Sequence, residues 1–146
     1  MIKDMFSKER VCFELKSSSK DEVISELIEI LEQDGKISDK DKFKEAVMHR
    51  EQEFSTGIGM GIAIPHGKSD AVKEASIVFG KSTKGIDFDS MDGENAHFFF
   101  LIAVPIESSD VHLKALSEIS RKLMHADVRE SLLKAATFEE FINIFS

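Results

Sequence analysis

Cysteine is almost missing from this 146-residue chain: Cys12 stands alone, so no disulfide can form within it and a reducing compartment is its natural setting. Long apolar runs are missing too. The longest, Phe98 to Val104, has seven residues, against the roughly 20 that a spanning helix needs, and Met1-Ile-Lys-Asp-Met-Phe-Ser holds no signal-peptide core. Direct membrane insertion is therefore not expected. Basic residues are in deficit, 19 against 27 acidic ones for a net charge of −8, which argues against non-specific attraction to nucleic acid or anionic lipid. Repeats, linkers and low-complexity tracts are also lacking, so residues 1–146 read as a single domain, cytoplasmic in location. No H-x-x-x-H or H-E-x-x-H spacing occurs, and a zinc reading of its histidines finds no third ligand.

What is present is an ordinary globular balance, with 42% hydrophobic residues. A chain of this length can bury roughly 68–70% of the surface its unfolded form exposes, enough to fold without metal or cross-link. Val11, Phe13 and Leu15 alternate with polar neighbours and suggest a short strand at a core edge. Ser19-Lys-Asp-Glu22 has capping-box spacing, and Val23, Ile24, Leu27, Ile28 and Leu31 recur with helical period until Gly35, which predicts a helix over 20–33. A second helix is expected behind a Ser38 cap, with Phe43, Ala46 and Val47 on its apolar face and Arg50 and Phe54 continuing that row. The middle of the chain crowds Gly57, Gly59, Gly61 and Gly67 around Pro65, so no helix crosses it. Ile62 to Ile64 reads as a buried strand delivering His66 at its end. Strands are expected at 75–81 and 97–106, the latter too apolar on both faces to be an edge, with turns at Gly85 and Asp92-Gly93. Ser109 or Asp110 would cap a third helix carrying His112, Ala115, Leu116, Ile119 and Leu123 on one face. Two short helices, 128–136 and 138–145, follow around a Thr137 cap. Helices, then strands, then helices predict an α/β sandwich: a mixed β-sheet flanked by helices.

The glycine-rich segment does not complete a nucleotide motif. Ile62 stands where G-x-G-x-x-G requires its third glycine, and Gly67-Lys68-Ser69 lacks the upstream glycine of a P-loop. His66 is more informative. A rigid proline precedes it and a glycine follows, which orients the imidazole and leaves one side open. A neutral imidazole is nucleophilic near its reference pKa of ~6.5 and can take a phosphoryl group without an activating base, metal or cofactor. Arg50, on its own, reads first as a residue paired with Glu53 one turn on, or as a surface residue if the helix is rotated; the alternative is a fork for phosphoryl oxygens. His112 could be a core histidine bonded to a carbonyl, or a neutral donor to phosphate at a helix start, where the dipole disfavours imidazolium. His49, His97 and His125 have no comparable context.

Arg50-Glu51 followed by Ser55-Thr-Gly-Ile-Gly-Met-Gly-Ile-Ala-Ile-Pro-His-Gly-Lys68 closely resembles the signature of the enzyme IIA domains of the fructose/mannitol class in the bacterial phosphoenolpyruvate-dependent sugar phosphotransferase system, and the likeness extends over essentially the whole chain. It implies that His66 is the phosphorylated histidine, attacking through Nε2, with Arg50 as the assisting arginine and His112 as the second active-site histidine. It implies no metal and no cofactor. The implied partners are the phosphohistidine of an HPr-like carrier, which supplies the group, and a cysteine of a cognate IIB domain, which receives it; a IIC membrane permease is served indirectly. Both proteins would dock over His66 on a shallow, partly apolar surface containing Ile58 and Met60. The segment from Gly80 to Gly93 is closer to fructose-type subunits. The alternative is a nitrogen-related IIA-like regulatory phosphoprotein with the same active site; a non-catalytic ligand-binding domain is a third possibility.

Overall fold

The computed structural model describes residues 2–146. Six strands, β1 (Val11–Cys12), β2 (Gly57–Gly59), β3 (Ile62–Ala63), β4 (His66–Lys68), β5 (Ser76–Ile86) and β6 (Ala96–Val104), and five helices, α1 (Lys20–Gln33), α2 (Lys40–Glu53), α3 (Ser109–Leu123), α4 (Ala126–Lys134) and α5 (Phe138–Ile144), make up the fold, with short 3-10 turns between them. The sheet runs β1-β5-β6-β3-β2, and β4 also pairs with β6. It is mixed. β5 and β2 pair antiparallel with β6 and β3, whereas β1–β5, β3–β6 and β4–β6 are parallel.

β6 shows why helices cover both faces. Successive strand residues point to opposite sides, so Phe99, Leu101 and Ala103 enter one cluster with Val23, Leu27 and Phe43 of α1 and α2. Phe98, Phe100, Ile102 and Val104 enter another with Ile119, Leu132 and Phe141 of α3, α4 and α5. Each fully buried Phe or Ile contributes roughly 1.5–3 kcal/mol, which commits the strand to the middle of the sheet. The expected sandwich is the one found.

The ends of several elements differ from expectation, each for a local reason. α1 covers the expected residues; Ser19 accepts from Glu22 N at 3.2 Å, while Glu22 accepts from Ser18 N, one residue before the cap. Asp39, not Ser38, caps α2 by accepting from Lys42 N, and Ser38 donates to Ala71 O instead. α2 stops at Glu53, so Phe54 is extended and 77% exposed and does not continue the core row. The N-terminal strand shrinks to Val11–Cys12. β5 runs on to Ile86, so Gly85 lies in a bulge within the strand and not in a turn after it. α3 begins at Ser109, whose side chain is outside the described residues, with Asp110 in its first turn. α4 starts at Ala126, and Thr137 forms a complete capping box with Glu140. Among the described residues no helix is long and apolar enough to cross a membrane.

Candidate active site

Alternation along β3 and β4 places the first histidine. Ile62 and Ile64 pack in the cluster under α3, and Ala63 in the cluster under α2. His66 and Lys68 continue the α3-facing set, and Gly67 faces α2. A Cβ at Gly67 would lie 3.0 Å from Val47 Cγ2 and 3.3 Å from Val47 N, so glycine is what lets α2 press on β4. His66 therefore opens a short strand of its own, in register with Ile102 of β6, where the sequence suggested the end of the strand over Ile62 to Ile64.

His66 is only 6% exposed. Its Nδ1 lies 2.9 Å from Ile64 O. A carbonyl can only accept, so Nδ1 carries the hydrogen and the neutral ring holds its lone pair on Nε2. That nitrogen is not sealed. The buried side-chain polar atoms without a partner, among the described residues, are Ser90 Oγ and His112 Nε2; His66 Nε2 also lacks a hydrogen bond but keeps contact with solvent. Burial, then the Arg50 and Lys68 charges, lower the His66 pKa, against the opposing effects of the Ile64 bond and the Glu51 carboxylate. The ring is neutral at pH 7.

α3 supplies His112 from its first turn. The two imidazoles lie with centroids 4.5 Å apart and planes inclined at 40°. Burial, followed by the charges of His66, Lys68 and Arg50, pushes the His112 pKa down to about 4. It too is neutral. Its buried, unpartnered Nε2 is an unmet hydrogen-bonding group facing no protein acceptor, a situation that costs about 1–3 kcal/mol. The carbonyl-bonded core histidine is thereby excluded at this nitrogen.

Arg50 lies in the last turn of α2 and donates from Nη1 to Phe54 O at 2.8 Å. It makes no ion pair among the described residues, so the pairing with Glu53 does not form. Its charge acts on both histidines. The structure thus brings together all three residues singled out from the sequence, although Arg50 is half-buried and not on the innermost row.

Glu51 takes that row, and the sequence reading missed it. It is 6% exposed, accepts from Thr56 N at 3.1 Å and from Thr56 Oγ1, and pairs with Lys20 Nζ at 3.0 Å. The bonds tie the end of α2 to the start of the glycine-rich hairpin. The signal was its spacing: Phe43, Val47 and Glu51 recur every fourth residue, one face of a helix.

The other histidines are peripheral. His97 Nδ1 meets Ser82 O at 2.9 Å, His125 precedes α4, and His49 is exposed. No group of three metal-ligating side chains occurs among the described residues. Phe54, four residues on from Arg50, and Leu113, next to His112, are 77% and 63% exposed; Met60 is 48% exposed and Ile58 half-buried, but their hairpin tip lies against Asp92 and the His97 end of β6, away from Ile102, the partner of His66. The chemistry available is that of a nucleophilic nitrogen beside a neutral imidazole and a guanidinium that has no ion pair among the described residues, a set matched to a tetrahedral anion.

The sequence profile of the family described as "Phosphoenolpyruvate-dependent sugar phosphotransferase system, EIIA 2" matches residues 4–146. The chain belongs to this family. As an EIIA it is 42% identical over 127 residues to the PTS system fructose-specific EIIA component of Haloferax volcanii, covering 87% of this chain and 82% of that protein. It is 39% identical over 145 residues to the fructose-specific EIIABC component of Bacillus subtilis, covering 99% of this chain but only 23% of that longer protein. Among solved structures, the nitrogen regulatory protein IIA-Ntr of Neisseria meningitidis superimposes with a TM-score of 0.92 at 29% identity, over 99% of both chains. The EIIA fold is thus found here along its full length, with the mixed sheet and both helical layers. EIIA components are phosphoryl carriers, which agrees with the chemistry the site permits.

Proposed function

We propose that this EIIA, acting as one domain over residues 1–146, accepts a phosphoryl group on His66 Nε2 from the phosphohistidine of an HPr-like carrier and passes it to a cysteine of a cognate IIB domain during uptake of a fructose-type sugar. The Nε2 lone pair forms a bond to phosphorus as the carrier's N–P bond breaks; the carrier ring keeps that electron pair and takes a proton from water. In the second step a cysteine thiolate forms an S–P bond and the pair returns to His66 Nε2. The carrying observation is the Ile64 O···Nδ1 bond, which spends one ring nitrogen on the backbone and directs the other outward. Arg50 meets the charge spreading over the phosphoryl oxygens, and His112 donates to one of them from Nε2. Both steps are cytoplasmic, and a IIC permease is served only indirectly.

The test is incubation with phosphorylated HPr, comparing wild type with His66→Ala. Labelling is expected in the first and lost in the second; equal labelling of both would refute the assignment. His112→Ala is expected to fold and to transfer about 10²–10³-fold more slowly, since the nucleophile remains while a donor is lost. The regulatory reading, a phosphoprotein whose state governs binding to other proteins, is favoured by the 0.92 superposition on IIA-Ntr. Onward transfer to purified fructose-type IIB domains separates the two. Labelling by HPr without such transfer supports regulation.

A further inference from the structure

Lys68 is one of the lysines without a carboxylate partner among the described residues, and it is the one that stands two residues from His66. Lys20, Lys36, Lys40, Lys42, Lys44 and Lys134 all have carboxylate partners. Lys68 has neither ion pair nor hydrogen bond among the described residues, although Asp70 stands two residues on; that carboxylate is taken by Lys42 Nζ at 2.6 Å. The strand gives Lys68 its direction. Residues i and i+2 of a strand share a face with Cα atoms about 6.5–7 Å apart, so Lys68 rises on the side of β4 that carries His66 and faces His112. The length of a lysine spans that separation. A phosphoryl group bound to a protein carries about −1.5 to −2 charges at pH 7, and Arg50 supplies one compensating charge while His112 supplies none in the resting state.

We propose that Lys68 is the second cation of this site, holding the phosphoryl group on His66 from the same short strand that carries that histidine. The inference rests on the phosphocarrier reading above and adds a residue to it. In the resting protein the ammonium already acts on both rings, lowering the pKa of His66 and of His112, where its effect precedes that of Arg50. That field adds to burial, the larger cause, in keeping Nε2 of His66 unprotonated before the group arrives. Afterwards the same charge stabilises the phosphorylated state. No new bond to phosphorus is involved; Lys68 acts through charge and hydrogen bonding alone.

The experiment compares wild type with Lys68→Gln and Lys68→Arg, each equilibrated with phosphorylated HPr, with His66→Ala in parallel. The ratio of phosphorylated to free protein at equilibrium is expected to fall about tenfold in Lys68→Gln, the size of one charge-assisted hydrogen bond, and to recover within a few-fold in Lys68→Arg. Imidazole NMR is expected to show both His66 and His112 titrating higher in Lys68→Gln, a shift that a merely structural lysine would not produce. Thermal stability should be unchanged, because the side chain is exposed. A wild-type ratio with unmoved histidines in Lys68→Gln, while His66→Ala stays unlabelled, would overturn the role of Lys68 and leave the carrier reading intact. Labelling of His66→Ala would instead overturn the carrier reading itself.

Discussion

The low His112 pKa makes stability depend on pH in a stated window. The unfolded ring takes its proton near the ordinary 6.5, and the folded ring only near 4. Between these values the unfolded state binds more protons, so folding stability falls as pH falls; the contribution is complete above 6.5 and gone by about 4. At 1.36 kcal/mol per pH unit the ceiling is about 3 kcal/mol. The ring is half-buried, and solvent screening of the neighbouring charges brings the expected figure to about 1–2 kcal/mol. Urea unfolding at pH 7 and pH 4 measures it, provided the wild type is compared with His112→Gln, so that carboxylate titrations common to both cancel. The wild type should lose about 1–2 kcal/mol more than the variant. Imidazole NMR gives the midpoint directly. A difference that stays flat with pH, or a His112 ring titrating near 6.5, would refute the reasoning and with it the view that this imidazole rests neutral inside a cationic site.

Three substitutions test the framework around the site. Met60 and Gly61 join β2 to β3 with φ of +58° and +78°, the left-handed pair of a type I′ hairpin, which suits asparagine better than methionine at the first position; Met60→Asn should raise stability by about 0.5–1 kcal/mol in urea melts, and no gain would count against the turn assignment. Gly67→Ala should cost about 1–3 kcal/mol, because the added methyl meets Val47 side chain and backbone together and α2 must move off β4; a melting temperature unchanged from wild type would show that the helix yields freely. Glu51→Gln should destabilise by about 2–3 kcal/mol by stripping charge from the bonds to Lys20 and Thr56, and should slow phosphoryl transfer as well, since it frees the helix end that carries Arg50.

Local signals are legible in the chain wherever one residue decides the outcome. The Ser19 cap and the regular period from Val23 to Leu31 suffice for α1, and the unbroken apolar stretch from Phe98 to Val104 suffices for a central strand. Short strands are harder. β4 has three residues, one of them glycine, and its pairing with Ile102 to Val104 is a long-range contact that no local pattern announces. The same holds for β5, where polar Ser82 to Lys84 hide a strand that continues through a bulge. Within the candidate site, His66 and His112 stand out because histidine is uncommon at apolar positions, whereas Arg50 is singled out only by the signature that the chain resembles. Glu51 was not legible, because a carboxylate next to an arginine reads as surface charge until Lys20, thirty-one residues earlier, is found beside it. Lys68 appeared in the sequence only as part of a glycine-lysine-serine near miss and as the last residue of the resembling signature, with no role attached.

Because His66 is laddered to the innermost strand of the sheet, its geometry belongs to the part of a protein that opens only on global unfolding. A site borne on a mobile lid loses function well before the body of the molecule melts. Here, loss of phosphoryl acceptance on gentle heating should track the cooperative melting curve point for point, so that the activity itself serves as a thermometer of the intact core.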